Sequence, residues 1–423
     1  MMLSFEKKIP QSDKSFLQAY FTILIKPKES QMDIFEKCYQ YTVVKEAIEG
    51  GYYPYFIPLT ENEGTEVMIG DHRLIMCGSN NYLGLTTHPK VKEAAIQAIQ
   101  RYGTSCTGSR FLNGNLELHE QLEHELADWV RKPAALVFST GMQTNLGTIS
   151  ALVDHKDAVI LDKYDHASIV DGAKLSWGET KRFRHNDLKD LERILSSLPP
   201  ERGKLVVVDG VYSMDGDIAP LPDLIQICKK YEARLMVDDA HSLGILGNGR
   251  GTAAHFNCSS ELDLTMSTFS KSLASLGGFI AGDEDVIQYI KHHARALIFS
   301  ASIPAANAAA ALAALQVMRE EPERIKRVND IGLRVRNELR RLGFQIGNTQ
   351  TPIIPIIIGD DMRTIFAWKA LYDAGVFVNP VLSPAVPEGR QLLRTSYMAT
   401  HTDEQIDKVL ELFEKIGKQI RLI

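Results

Sequence analysis

No stretch of the 423 residues comes near the roughly 18 consecutive apolar residues that a membrane span requires. The nearest, residues 16–25, contains Gln18 and Thr22, lacks a small-residue cleavage site and runs into Lys26-Pro27-Lys28, which argues against a signal peptide. Cysteine is sparse: Cys38, Cys77, Cys106, Cys228 and Cys258 are scattered, odd in number and form no CxxC pair. That excludes a disulfide framework or zinc knuckle and makes a reducing cytoplasm the expected location. Nor is there a cationic excess. The 47 Lys and Arg fall short of the 53 Asp and Glu, a formal net charge of -6, which gives no general field for nucleic acid or an anionic membrane. Any anion must be held by local groups.

Several catalytic signatures are missing as well. No GxSxG elbow and no Walker GxxxxGK[ST] occurs, which lowers serine hydrolase and P-loop readings. The segment from His119 to His124 imitates a zinc-protease helix with one residue too many. At about 100° per residue its two histidines lie about 140° apart around the helix, so no metal site is expected and the segment reads as a solvated amphipathic face. Gly247-Asn248-Gly249-Arg250-Gly251 lacks the strand-turn-helix setting of a dinucleotide fingerprint and reads as a mobile loop. There is no internal repeat or low-complexity tract.

What is present is alternation of helix-like and strand-like segments from about residue 89, the pattern of a mostly parallel sheet covered on both faces. Pro89 opens a helix that Gly103 closes, and Leu118, Leu122, Leu126 and Val130 form an i, i+4 stripe. Short apolar runs at 134–138, 158–161, 205–208 and 235–237 suit fully buried parallel strands. Three of them end in carboxylates, Asp162, Asp209 and Asp238-Asp239, and ligands of open parallel sheets sit beyond such ends. After about residue 305 an Ala-rich helix leads into a second block, with strands expected at 353–358, 376–378 and 392–396. The expected division is an N-terminal extension at 1–31 (Met32 offers a second start), an arm at 32–76, a large domain at 77–305 and a small C-terminal α/β domain at 306–423.

The candidate chemistry gathers around Lys271, between two apolar runs in Thr268-Phe269-Ser270-Lys271-Ser272. An apolar setting lowers a lysine's pKa and favours the neutral, imine-forming amine, while the hydroxyls of Thr268, Ser270 and Ser272 can donate to a phosphate. Asp238 ends the central strand and suits a protonated ring nitrogen; alternatively, Asp238-Asp239 simply caps a strand. His241, three residues on, can bond a phenolic oxygen, and His166 should project over the same edge with a face to stack on a ring, although an isolated histidine is often structural. Ser139-Thr140-Gly141-Met142 joins a strand to a helix and offers N–H groups and a helix dipole to phosphate. Together these groups ask for pyridoxal 5'-phosphate (PLP), whose ring acts as an electron sink.

From about Tyr52 to the end, the chain resembles the α-oxoamine synthases of PLP fold type I. The resemblance is carried by Asn80-Asn81-Tyr82-Leu83-Gly84, Gly108-Ser109-Arg110, Asp165-His166-Ala167-Ser168, Asp238-Asp239-Ala240-His241-Ser242, Thr268-Phe269-Ser270-Lys271-Ser272 and Leu393-Arg394-Thr395-Ser396. It implies the PLP-dependent transferase fold type I: a large, mostly parallel-sheet domain with a smaller C-terminal α/β domain. It also implies Lys271 as the cofactor lysine and α-proton base, His166 on the ring face, Asp238 on the ring nitrogen and Arg394 on the substrate carboxylate. Asn80 and His166 are expected near the substrate, and Gly141, Met142, Ser213, Thr268, Ser270 and His241 near the cofactor. A homodimer with shared active sites is implied, in which Ser300 reaches the partner's phosphate. Met142 departs from relatives that carry an aromatic there, which costs a side-chain contact but no backbone donor.

Within the family, Gly51-Tyr52-Tyr53-Pro54-Tyr55-Phe56, Arg184-His185-Asn186, Gly210-Val211-Tyr212-Ser213-Met214 and the segment from Asn379-Pro380 to Ser383-Pro384-Ala385-Val386-Pro387 resemble the bacterial branch that joins L-serine to palmitoyl-CoA. The implied reaction is a decarboxylating condensation to 3-ketodihydrosphingosine, with a peripheral contact to the inner membrane left open. Rival expectations are a sister enzyme using glycine or alanine, such as a 2-amino-3-ketobutyrate ligase or an 8-amino-7-oxononanoate synthase, and a non-catalytic subunit. The last could dispense with Lys271 and His166, both present here.

Overall fold

The computed structural model describes residues 33–423, so the expected extension at 1–31 and its apolar run lie outside the described residues. The expected arm is itself partly sheet. Strands β1 (Glu61–Asn62), β2 (Glu66–Ile69) and β3 (His72–Met76) pair antiparallel.

Helices α1 (Pro89–Tyr102) and α2 (Glu117–Val130) follow, then β4 (Ala134–Phe138), α3 (Gly141–Leu152), β5 (Ala158–Asp162), α4 (Ala167–Leu175) and β6 (Glu179–Phe183). Next come β7 (Lys204–Asp209), β8 (Arg234–Asp238), β9 (Leu264–Thr268) and β10 (Gly278–Gly282). These strands form one seven-stranded sheet in the order β4-β10-β9-β8-β7-β5-β6, parallel except for β10, which runs against both neighbours. Every residue of β5, β7 and β9 is buried, because helices cover both faces; that is why β5 and β7 read as apolar runs, while β9, Leu-Thr-Met-Ser-Thr, buries hydroxyls as well. The edge strand β6, Glu-Thr-Lys-Arg-Phe, is mostly exposed and carries no such signal. Register sets Asp209 opposite Asp238, and Gly278 opposite both Phe138 and Thr268. The polar ends of β4, β7, β8 and β9 therefore share one edge.

The chain continues through α5 (Ala305–Glu320), α6 (Glu323–Leu342), β11 (Ile353–Ile357), α7 (Asp361–Asp373), β12 (Val376–Phe377), β13 (Asn379–Val381), β14 (Leu392–Ser396) and α8 (Asp403–Gln419). A three-stranded sheet, β11-β14-β13, packs with α6, α7 and α8 through Val335, Leu339, Trp368, Leu371, Val409 and Phe413. Strand β12 instead extends the N-terminal hairpin, pairing parallel with β3. Helix α5, just past the expected boundary at 305–306, packs on the large sheet's side of the molecule. Ala305 and Ala309 meet Ala94 and Ala98 of α1, while Ala308, Ala311 and Ala314 join Leu122 and Leu126 of α2 in one core. Small side chains on both partners let the helices approach closely. No described helix is long and apolar enough to cross a membrane.

Two expectations need correction. The helix from His119 is not a solvated face. His119 is fully buried, with Nε2 2.9 Å from the Ile303 carbonyl and Nδ1 accepting the Leu116 N–H, so it caps the helix start. Glu123, one turn further, is buried in a bidentate pair with Arg110 at 2.8 and 3.1 Å. The glycine-rich segment 247–251 is a pinned turn, not a mobile loop. Its three glycines have φ of +57°, +84° and +100°, Trp129 Nε1 donates to the Gly249 carbonyl at 3.0 Å, and Arg250 lies over the Trp129 ring. Glycine is needed there because left-handed backbone, not disorder, makes the turn.

Candidate active site

Beyond the shared sheet edge lies a cavity of ≈ 250 Å³ lined by Gly141, Met142, Asn145, His166, Asp209, Asp238, His241, Thr268, Ser270 and Lys271, among others. Eight of the residues expected from the sequence thus converge although they span 130 positions of chain, from Gly141 to Lys271. Lys271 follows β9 by three residues. Burial pushes its amine pKa down to about 8, with Arg394 adding to the effect and Asp238 and Asp209 opposing it.

Asp238 is 4% exposed and held on both oxygens: Oδ1 accepts from the Ala240 N–H at 2.9 Å and Oδ2 from Asn145 Nδ2 at 2.8 Å. Asn145, one turn into α3, also donates to Ser168 Oγ at 2.9 Å, and its own Oδ1 has no partner. Asp209 Oδ1 is likewise buried without a partner, and burial together with the nearby Asp238 pushes its carboxyl pKa well up.

His166 caps α4, with Nδ1 accepting from the Ser168 N–H at 3.2 Å. This leaves the proton on Nε2. Desolvation in the cleft lowers its pKa against the pull of Asp238. His241 is 6% exposed, and burial drives its imidazole to the neutral form. Its Nδ1 lies 2.7 Å from Tyr82 Oη, which is 3.2 Å from Asn80 Oδ1. Asn80 Oδ1 can only accept, so the Tyr82 hydroxyl donates to it and the 2.7 Å contact is a donation from His241 Nδ1–H to Tyr82 Oη.

Arg394 comes from β14, so the C-terminal sheet contributes to this side of the molecule. It is 5% exposed, donating from Nε to the Ser213 carbonyl at 2.6 Å and from Nη2 to Asn80 Oδ1 at 3.0 Å. Asn80, Tyr82 and His241 therefore connect Arg394 to the cavity wall. Ser213, Asn80, Arg394 and Ser300 do not line the cavity itself. Ser213 borders a neighbouring pocket, and Ser300 Oγ accepts from Gln143 Nε2 at 2.9 Å beside the first turn of α3. Among the described residues, no cluster of three or more His, Cys, Asp or Glu could hold a metal.

Sequence reasoning assigned no role to Asn145, Tyr82, Ser168 or Asp209. The last three stand in motifs or at a strand end that had been singled out. Asn145 carries no signal beyond its spacing of four from Gly141, which turns both toward the sheet edge.

These groups fit a PLP molecule. The start of α3 offers the Gly141 and Met142 N–H groups, which precede the helix's own hydrogen-bonding ladder. A Cβ on Gly141 would come within 2.8 Å of Thr268 Oγ1, so only glycine keeps the strand-to-helix turn this close to the β9 end. The Ser270 hydroxyl, 2.9 Å from Thr268 Oγ1, adds a donor for phosphate; contrary to expectation, Thr268 Oγ1 donates to the Gly277 carbonyl at 2.9 Å and the buried Ser272 Oγ to the Leu243 carbonyl at 2.7 Å. A lysine of lowered pKa, a fixed carboxylate and two imidazoles remain for the ring.

A family model described as aminotransferase class I and II matches residues 73–413. The chain belongs to this family. It is a PLP-dependent enzyme of fold type I, in the α-oxoamine synthase branch. Among this aminotransferase family, the serine palmitoyltransferase of Sphingobacterium spiritivorum is 49% identical over 93% of this chain and 99% of its own. The 8-amino-7-oxononanoate synthase of Thermoanaerobacter pseudethanolicus is 39% identical over 90% and 98%. The solved serine palmitoyltransferase of Sphingomonas wittichii superposes with a TM-score of 0.90 at 37% identity, covering 92% of this chain and all of that one.

Proposed function

We propose that the enzyme condenses L-serine with palmitoyl-CoA, releasing CO2 and CoA and forming 3-ketodihydrosphingosine, the first step of sphingolipid synthesis. One observation carries the choice of serine. Four relatives named serine palmitoyltransferase are 47–49% identical over 86–93% of the chain, against 39–42% for those named 8-amino-7-oxononanoate synthase.

PLP bound in this cavity supplies a ring that delocalises negative charge developing on the amino acid's α-carbon. Lys271 would hold the cofactor, and its Nζ is the group that would take the α-proton of the amino acid. A pKa near 8 suits both tasks. Asp238, kept in place by Ala240 and Asn145, would serve the ring nitrogen, His241, held by Tyr82, the phenolic oxygen, and His166 the ring face. Gly141, Met142 and Ser270 would hold the phosphate, with Thr268 Oγ1 positioning Ser270. Arg394, steadied by Ser213 and Asn80, would take the serine carboxylate and so fix the orientation of the bonds at the α-carbon.

A homodimer with shared active sites, in which Ser300 reaches the partner's phosphate, belongs to the same proposal, as does peripheral contact with the inner membrane to collect the acyl-CoA. The relatives named 8-amino-7-oxononanoate synthase, matching 87–92% of the chain, support a second reading in which alanine or glycine replaces serine.

The test titrates the PLP-loaded protein with serine, glycine, alanine and threonine while following cofactor absorbance, then adds palmitoyl-CoA and measures CoA release. A serine-selective spectral change followed by serine-dependent CoA release is expected. Preference for glycine or alanine would overturn the choice of substrate while leaving the cofactor chemistry intact.

A further inference from the structure

His185 belongs to a motif for which the chemistry above has no use, yet it is among the most fully engaged side chains near the site. It lies two residues past the edge strand β6, with its ring edge-bound between two carboxylates: Nδ1 is 3.0 Å from Asp162 Oδ1 and Nε2 is 2.9 Å from Asp217 Oδ2. Carboxylate oxygens accept hydrogen bonds, so both ring nitrogens carry protons and the ring is an imidazolium. Tyr164 stacks on it at 4.4 Å and Tyr212 meets it edge-on at 4.4 Å. Burial alone would lower the pKa, but the hydrogen bonds from Asp162 and Asp217 outweigh it and raise the group to about 9.

The two carboxylates sit on different pieces of chain. Asp162 ends β5 just ahead of His166, and it also accepts the N–H groups of Tyr164 and Asn186. Asp217 closes the tight hairpin 211–218, in which Val211 bridges Ile218 and the Tyr212 N–H donates to the Asp217 carbonyl. Its Oδ2 accepts from His185 and Asn186, and its Oδ1 is buried without a partner. The same hairpin carries Ser213, whose carbonyl accepts from Arg394 Nε.

We infer that His185 is a positioning residue: clamped between Asp162 and Asp217, it fixes the 211–218 hairpin on the end of the large sheet, and the hairpin, through the Ser213 carbonyl, aims Arg394 at the carboxylate of the amino-acid substrate. The inference rests on the proposed role of Arg394. Without the imidazolium, Asp217 and Asp162 lose the charge between them; toward the large sheet the hairpin keeps Asn186 Nδ2 on Asp217 at 2.9 Å and the packing of Val211 and Tyr212, and toward the C-terminal sheet it keeps a second set of contacts. These are Thr351 Oγ1 and the Gln350 N–H on the Gly216 carbonyl, and Arg390 on Asp215. All of these tie the hairpin to the part of the chain that carries Arg394. His185 thus supplies the charged part of the link, which Asn186 shares, between the hairpin that holds Arg394 and the sheet edge where Lys271, Asp238 and His166 stand.

The test compares serine with 2-aminoethanol, which is serine without its carboxylate, as ligands of the PLP-loaded protein, read by the change in cofactor absorbance. In His185→Gln the dissociation constant for serine should rise by about tenfold, the worth of one charge-assisted hydrogen bond made less well, while that for 2-aminoethanol stays within about twofold. In turnover, KM for serine should rise with KM for the acyl-CoA unchanged. Equal weakening of both ligands, or of neither, would overturn the inference, because a residue with a purely structural role has no reason to single out the carboxylate. Asp217→Asn, which keeps the shape of the side chain but removes its charge, gives the same readout if His185→Gln does not fold. Arg394→Lys separates the two layers of argument. If it keeps full preference for serine over 2-aminoethanol, the assignment of Arg394 to the carboxylate fails. If it loses that preference while His185→Gln and Asp217→Asn keep theirs, Arg394 stands and the positioning role of His185 falls.

Discussion

The lowered pKa of Lys271 makes a quantitative prediction about how the cofactor-free protein captures PLP. Only the neutral amine attacks an aldehyde, so the capture rate follows the neutral fraction of Lys271. With a pKa of about 8, roughly a quarter of the amine is neutral at about pH 7.5, against about one part in a thousand for a solvated lysine at about 10.4. Burial is therefore worth a factor of about two hundred in reactive amine near neutrality, by the same relation. Stopped-flow absorbance of PLP mixed with cofactor-free protein should show covalent capture that rises about tenfold per pH unit below about pH 8 and levels off above it. Lys271→Ala, which binds PLP without a covalent link, supplies the blank and should show no turnover. A rate still climbing tenfold per unit above about pH 9 would refute the reasoning, since it would mean an amine with an ordinary, hydrated pKa.

Three further substitutions probe the surroundings. Asn145→Leu removes the 2.8 Å donor to Asp238 at nearly constant volume and should raise the PLP dissociation constant by about tenfold, measured on reduced retention in dialysis; unchanged retention would deny Asn145 its part. Tyr82→Phe leaves His241 Nδ1, now bonded at 2.7 Å, without a partner in a buried site, and denaturant titration of the cofactor-free protein should show a loss of about 1–2 kcal/mol. Arg110→Met strands the buried Glu123 carboxylate and should cost about 3–5 kcal/mol by the same method. Adding Glu123→Leu should recover only part of that loss, because Glu123 Oε1 also accepts the Val137 N–H at 2.8 Å.

The large sheet was legible because its strands are buried on both faces. A run such as Leu205 to Val208 needs no alternation to be recognised, and a carboxylate at its end stands out against it. Lys271, Asp238, His241 and His166 were legible for a related reason: each is a polar residue set at the end of an apolar run, where a fold of this class gathers its ligands. The edge strand β6 was not legible because it is mostly exposed, and the hairpin at β1 to β3 was not because its strands are short and its buried apolar residues, Val67, Leu74 and Met76, are too few to impose a pattern. The same weakness misled the reading of the helix at His119. Its buried histidine and glutamate resemble solvent-facing residues until Ile303 and Arg110 arrive from elsewhere in the chain.

By itself, then, the sequence determined the type of chemistry: which lysine is kept apolar, which carboxylate ends the central strand, and where a helix start can hold phosphate. These are local properties, set by neighbours within a few positions. Tertiary structure alone decided how the parts are held. Asn145 steadies Asp238 across 93 positions, Tyr82 orients His241 across 159, and Ser213 anchors Arg394 across 181. A hydrogen bond needs atoms within about 3 Å, and which distant residues come that close is fixed only when the sheet, its register and the C-terminal strands have been assembled.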